Sequence, residues 1–175
     1  MAAKLRLAAP LQFDSIVDGP GLRMVLWTQG CTHACEGCHN PQTHALDGGG
    51  LYDSAEIIKA MEQSKLQRGI TFSGGDPLLQ PEGLLPIAQA AHRMGFDVWA
   101  YTGFLWNELM DKKHPKYKEI QVLLPYIDVL VDGRYVERKK HIDLLFRGSS
   151  NQCIIDVRKS LEAGRKIVLD HYMER

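Results

Sequence analysis

Ile70–Gly103, ITFSGGDPLLQPEGLLPIAQAAHRMGFDVWAYTG, contains the alternation that decides the fold. Ile70-Thr71-Phe72 is a short β-rich run closed by Ser73-Gly74-Gly75-Asp76-Pro77, where two glycines and a proline exclude regular structure. Leu84, Leu85, Ile87, Ala88, Ala91 and Met94 then recur at helical spacing, and Gly95 stands where a left-handed residue ends a helix. Asp97–Tyr101 (DVWAY) follows as a strand before Thr102-Gly103. Strand, special loop, helix and strand together make one βαβ unit.

The same grammar extends outward. Upstream, Leu22–Thr28 (LRMVLWT) is a buried strand ending at Gln29-Gly30. Ser54 is an N-cap candidate for an amphipathic helix with Ile57, Ile58, Met61 and Leu66 along one side, stopped by Gly69. Downstream, Trp106–Met110 and Lys116–Leu124 are helical candidates interrupted by His114-Pro115. Ile127–Val131 is a strand before Asp132-Gly133, Asp156–Ala163 a short helix and Lys166–Leu169 a final strand. There is no internal repeat or low-complexity linker. At roughly 30 residues per unit the chain holds about five or six βα units, whereas a closed eight-unit barrel takes about 250 residues. The expectation is an α/β chain folded as a single domain over residues 1–175. Its fold would be an open, partial (β/α) barrel with chemistry at the C-terminal strand ends and an open side that admits something bulky.

Composition narrows the function. Lys plus Arg number 21 and Asp plus Glu number 21, so no broad attraction to nucleic acid or an anionic membrane is expected. Apolar runs fall far short of the roughly 20 residues that span a bilayer. In MAAKLRLAAPLQFD, Gln12 and Asp14 interrupt the start before a secretory core develops. The cytoplasm is the expected location.

Chemistry concentrates in GCTHACEGCHN, residues 30–40. Cys31, Cys35 and Cys38 stand in C-x3-C-x2-C spacing, close enough for three thiolates to converge on one inorganic centre. Electron-transfer clusters and structural zinc sites usually take four protein ligands. A cluster iron left without a cysteine instead offers a position suited to the amino and carboxylate groups of S-adenosylmethionine. Two other readings stand beside this one: a closed Cys3His zinc site completed by His33 or His39, and cysteines buried only for packing, for which a glycine-flanked loop is a poor place. Cys153 stands apart, either as a buried free thiol or as a fourth cluster ligand.

The C-x3-C-x2-C loop after a strand, followed by Gly74-Gly75-Asp76-Pro77, resembles the radical S-adenosylmethionine superfamily. DGPGLR (18–23), WTQGC (27–31), CHNPQTH (38–44), FSGGDPLLQ (72–80), YTG (101–103), VDGRY (131–135) and LLFRGSSNQ (144–152) are similar to its glycyl-radical activase branch. The resemblance implies a 4Fe-4S cluster on Cys31, Cys35 and Cys38 and S-adenosylmethionine as the second cofactor. Its implied reaction is reductive cleavage to a 5′-deoxyadenosyl radical that takes a hydrogen atom from a protein glycine. It also implies that the 74–77 loop binds the methionyl end, with the Asp76 carboxylate on the amino group. Gly37 stands where many members carry an aromatic residue under the adenine, so the backbone of Gly37 and Cys38 and the side chains of His39 and Asn40 become the adenine candidates. Thr102 and Asp132 are candidates for the ribose side, although each also reads as a turn former. Asp18, Arg23 and Arg147–Gln152 either meet the incoming protein loop and order the site or serve as caps and surface pairs. No side chain is expected to be catalytic.

The implied partner is anaerobic ribonucleoside-triphosphate reductase, with pyruvate formate-lyase or another glycyl radical enzyme as the alternative; a flavodoxin or ferredoxin would supply the electron. An enzyme acting on a small metabolite and a non-enzymatic, zinc-stabilised interaction module are the competing classes.

Overall fold

The central strands form where the chain is apolar on both faces and end at, or within two residues of, a glycine. In the computed structural model, which describes residues 3–174, the strands are β1 (Lys4–Leu7), β2 (Gln12–Ser15), β3 (Arg23–Thr28), β4 (Gly50–Asp53), β5 (Gly69–Gly74), β6 (Asp97–Tyr101), β7 (Val129–Asp132) and β8 (Cys153–Asp156). The helices are α1 (Ser54–Glu62), α2 (Pro81–Arg93), α3 (Trp106–Leu109), α4 (Tyr117–Leu123), α5 (Val157–Ala163) and α6 (Asp170–Met173). They frame one mixed sheet in the order β4-β1-β3-β5-β6-β7-β8, with β2 also on β3. The central β3, β5, β6 and β7 run parallel; β1, β2, β4 and β8 pair antiparallel at the flanks.

Side-chain alternation separates the two faces of this sheet. Met24, Leu26, Ile70, Phe72, Val98, Ala100, Leu130 and Ile155 point to the face covered by helices, where they pack with Ile57 and Met61 of α1, Leu84, Ile87, Ala88 and Ala91 of α2, and Ile120 and Leu123 of α4. Burying each large aliphatic side chain stabilises by roughly 1.5–3 kcal/mol. The opposite face carries Trp99, Val131 and Ile154 under Phe146, Leu169, Tyr172 and Met173. It also carries Arg23, whose side chain is fully buried.

The outcome is an open α/β sheet, with differences that have local causes. Four parallel strands stand where five or six units were expected, because the antiparallel flanks use the remaining length. Asp53, not Ser54, caps α1: its carboxylate accepts from Ala55 N at 3.0 Å and Glu56 reaches back to Asp53 N at 3.1 Å, a capping box. That helix ends at Glu62, leaving Leu66 81% exposed. Asp156 likewise caps α5 by accepting from Lys159 N. Lys166–Leu169 makes only an isolated bridge, Val168 to Ile155. Strands β1, β2, β4 and β8 and the terminal turn α6 were not expected. Gly95 does take the left-handed conformation after α2, at φ +83°.

Candidate metal centre and cofactor cavity

Register sets the site. Thr28 lies opposite Gly74, Phe72 opposite Ala100, and Tyr101 opposite Val131, so the loops after β3, β5, β6 and β7 leave the sheet side by side. The cysteine loop is closed at its base by protein bonds alone: Gly30 N donates to Thr43 O at 2.7 Å and Cys31 N to His44 O at 3.1 Å. Gly75 sits against this closure. A Cβ on it would lie 2.3 Å from Gly30 O and 2.9 Å from Thr43 O, and one on Gly74 (φ +101°) would lie 2.3 Å from Thr28 O. The two glycines are therefore required for backbone to press on backbone, which brings the 74–77 loop under the cysteines.

Cys31, Cys35 and Cys38 are free, half-buried thiols that line one cavity of about 390 Å³, a volume in the range of small-molecule sites. His39, Asn40, Gly74, Gly75 and Thr102 line it as well, as do Tyr101, Tyr135, Phe146 and Arg147. Burial pushes the Cys31 thiol above its ordinary value; the His33 backbone N–H pulls it down, while Asp76, Cys35 and Cys38 add to the rise. A cationic iron centre would relieve this concentration of negative charge and would take the thiols as thiolates. Among the described residues no three His, Cys, Asp or Glu side chains converge as ligands of one metal ion. His33 is turned to Asp76 and His39 lies against Tyr135, so neither histidine named for a Cys3His zinc site joins the thiols, and three thiols from one loop suit a 4Fe-4S cluster. The donor set fits the cluster.

Several sequence candidates take other positions. Asp76 is fully buried and outside the cavity lining. One carboxylate oxygen lies 2.5 Å from His33 Nε2 and accepts from Gly103 N at 3.0 Å; the other accepts from Leu78 N at 3.0 Å, and Thr102 Oγ1 donates to the pair. Its carboxylate is thus spent on the cysteine loop and the β6 loop, not aimed at a ligand amine. Pro77 is buried behind it. Asp132, also fully buried and away from the lining, accepts from Trp106 N at 2.8 Å and Cys153 N at 3.2 Å, so it anchors α3 and β8 and does not face the ribose side. Gly37 is exposed and outside the lining too, and a Cβ there would lie 2.3 Å from Glu137 Oε2. Tyr135, tilted against His39 at 5.0 Å between ring centroids, is the aromatic group beside this part of the loop. Cys153 is half-buried, 3.6 Å from Lys166 Nζ, and does not share the cavity.

The outer motifs brace the walls. Arg23 donates to Thr71 Oγ1 at 2.8 Å, Pro20 O at 3.1 Å and Ile70 O at 3.0 Å, pairs with Asp97 at 2.5 Å and lies over the Trp99 ring. Asp18 lines the cavity while its backbone carbonyl accepts from Thr71 Oγ1. Arg147 donates to Ser150 O and Gln152 O, Gln152 to Gly133 O, and Asn151 to Arg134 O, so the RGSSNQ and VDGRY segments lock together. Sequence reasoning missed Tyr101, Tyr135 and Phe146 as wall residues and gave His44 no role. Their only signal was membership of quoted motifs.

Residues 17–155 match the protein-family model described as a 4Fe-4S single cluster domain. The anaerobic ribonucleoside-triphosphate reductase-activating protein of Haemophilus influenzae is 40% identical over 147 residues, covering 79% of this chain and 90% of that protein. The protein of that name from Escherichia coli K12 is 37% identical over 152 residues, covering 82% and 94%. This chain belongs to the anaerobic ribonucleoside-triphosphate reductase-activating protein family. The enterobacteria phage T4 member is 35% identical over 144 residues, covering 78% and 85%. A crystal structure of QueE from Escherichia coli has a TM-score of 0.48 at 16% identity, covering 57% of this chain and 53% of that one. Members of this activating family thus span nearly the same length as the present chain.

Proposed function

We propose that this chain is a radical S-adenosylmethionine enzyme that activates an anaerobic ribonucleoside-triphosphate reductase. Cys31, Cys35 and Cys38 would hold a 4Fe-4S cluster as one loop's three thiolates, leaving one iron for S-adenosylmethionine. When bound, the two cofactors supply one-electron cleavage of the sulfonium C5′–S bond, giving methionine and a 5′-deoxyadenosyl radical that takes a hydrogen atom from a glycine Cα of the reductase. The chain's own residues bind and orient. The Gly74-Gly75 backbone would receive the methionyl end, while Cys38, His39 and Asn40 would carry the adenine side beside Tyr135. Thr102, held by Asp76, and the braced 131–135 and 147–152 segments would keep the remaining walls in place and limit water. The single observation that carries this reading is the three thiols lining one cavity with the two glycines.

An open sheet suits a protein substrate, since a glycine-bearing segment needs a wide entrance. A flavodoxin- or ferredoxin-type donor would supply the electron, and the cytoplasm is the proposed compartment. Among the described residues no helix is long and apolar enough to cross a membrane.

The test is electron paramagnetic resonance of anaerobically reconstituted protein under dithionite, with and without S-adenosylmethionine, then with the reductase. A cluster signal perturbed by S-adenosylmethionine and a glycine-centred radical on the reductase are expected. A perturbed cluster with a radical only on another glycyl radical enzyme would transfer the assignment to that partner. No cluster under verified reduction would overturn the reading.

A further inference from the structure

His44 ends the short 3-10 turn Pro41–Thr43 that follows the cysteine loop. It touches that loop twice. Its backbone carbonyl accepts from Cys31 N at 3.1 Å, and its imidazole Nε2 lies 3.3 Å from Cys38 Sγ. The turn fixes this reach from behind, since His44 N donates to Pro41 O at 3.2 Å and Thr43 Oγ1 donates to Asn40 O at 2.7 Å. The ring therefore arrives at the sulfur from a part of the chain that supplies no thiol.

We infer that His44 is a positioning residue that donates a hydrogen bond from Nε2–H to the Cys38 thiolate and thereby sets the reduction potential of the cluster. The inference rests on the proposed cluster site. An iron-bound thiolate has no proton and only accepts, so a polar contact at this distance is made by an N–H on the ring. Hydrogen bonds to cluster sulfurs are among the levers that set reduction potential, and partners of ligating residues tune the centre they surround. The physical direction follows from charge. Reduction adds one electron, and a donor on the sulfur stabilises the more negative state. Losing that donor leaves the oxidised cluster harder to reduce. Neither of the other two loop histidines is placed to substitute: His33 is turned to Asp76 and His39 lies against Tyr135.

The experiment is a potentiometric titration followed by electron paramagnetic resonance on reconstituted wild type, His44→Phe and His44→Gln, each with iron and sulfide content measured. His44→Phe keeps bulk and removes the donor. At a fixed potential its reduced-to-oxidised ratio should fall about tenfold, equivalent to a midpoint lower by about 59 mV for one electron. His44→Gln retains an N–H and should recover most of the shift. A His44→Phe midpoint equal to wild type at full cluster content overturns the inference while leaving the cluster assignment intact. Wild type without four iron and four sulfide overturns both. If His44→Phe assembles no cluster, wild type labelled with ¹⁵N in the histidine rings decides by pulsed paramagnetic resonance: a weak ring-nitrogen coupling that His44→Gln removes supports the bond, and its absence overturns it.

Discussion

Asp76 braces the candidate site without lining its cavity. Its buried carboxylate joins His33 of the cysteine loop to Thr102 and Gly103 after β6. Asp76→Ala strands those donors, and breaking a buried polar network of this kind costs about 3 kcal/mol. Urea unfolding should show that loss, and the cluster content should fall with it. Tyr101 offers a second residue-scale test. Burial raises its hydroxyl far above the ordinary tyrosine range, with Asp18 adding and Arg23 opposing. A phenol raised in the folded state contributes stability that is present below its unfolded value, about 10, and lost as pH climbs toward the folded one. Tyrosinate absorbance of native protein minus Tyr101→Phe should therefore stay flat through pH 10, and wild-type stability should decline above it. A difference developing near pH 10 would contradict the burial.

Among the elements, β3, β5 and β6 are tied together by Arg23, which bonds across to Thr71 and the Ile70 carbonyl, pairs with Asp97 and holds the turn at Pro20. Arg23→Met should destabilise by about 3 kcal/mol, because hydroxyl, carbonyl and carboxylate acceptors on β5, on β6 and in the Pro20 turn lose one shared donor. A urea midpoint unchanged from wild type would refute that role. The central strands and α2 were legible because their periodicity is strong and their ends are marked by Gly-Gly, Thr-Gly and Asp-Gly. The flanking strands were not: β2 is exposed at three of four positions, and β1 and β4 are four residues each, so tertiary pairing defines them more than pattern does. The same divide runs through the site. Three cysteines in one loop advertise themselves by spacing alone. Asp76 was assigned to a ligand amine from its place in the Gly74–Pro77 loop and Asp132 to the ribose side from its strand end, yet whether a carboxylate points at a ligand or backs onto a neighbouring loop depends on rotamer and packing that spacing does not carry. His44 lacked any signal beyond its motif, since its meaning is a distance to a sulfur six residues away.

For the whole molecule, the architecture separates folding from loading. The core lies between the sheet and α1, α2 and α4, while the thiols sit on a loop outside it. Protein lacking all three cysteines, Cys31→Ala with Cys35→Ala and Cys38→Ala, should unfold in one cooperative transition with a free energy within about 1 kcal/mol of metal-free wild type. It should bind no iron. Cys153→Ala should leave iron and sulfide content at wild-type level, since that thiol lies outside the cavity. Two separated transitions would refute the single domain. The loop's closure through Gly30 N–Thr43 O and Cys31 N–His44 O carries this further. Both bonds run from backbone N–H to backbone carbonyl, so main-chain geometry, independent of the thiols themselves, anchors the loop that carries the cysteines.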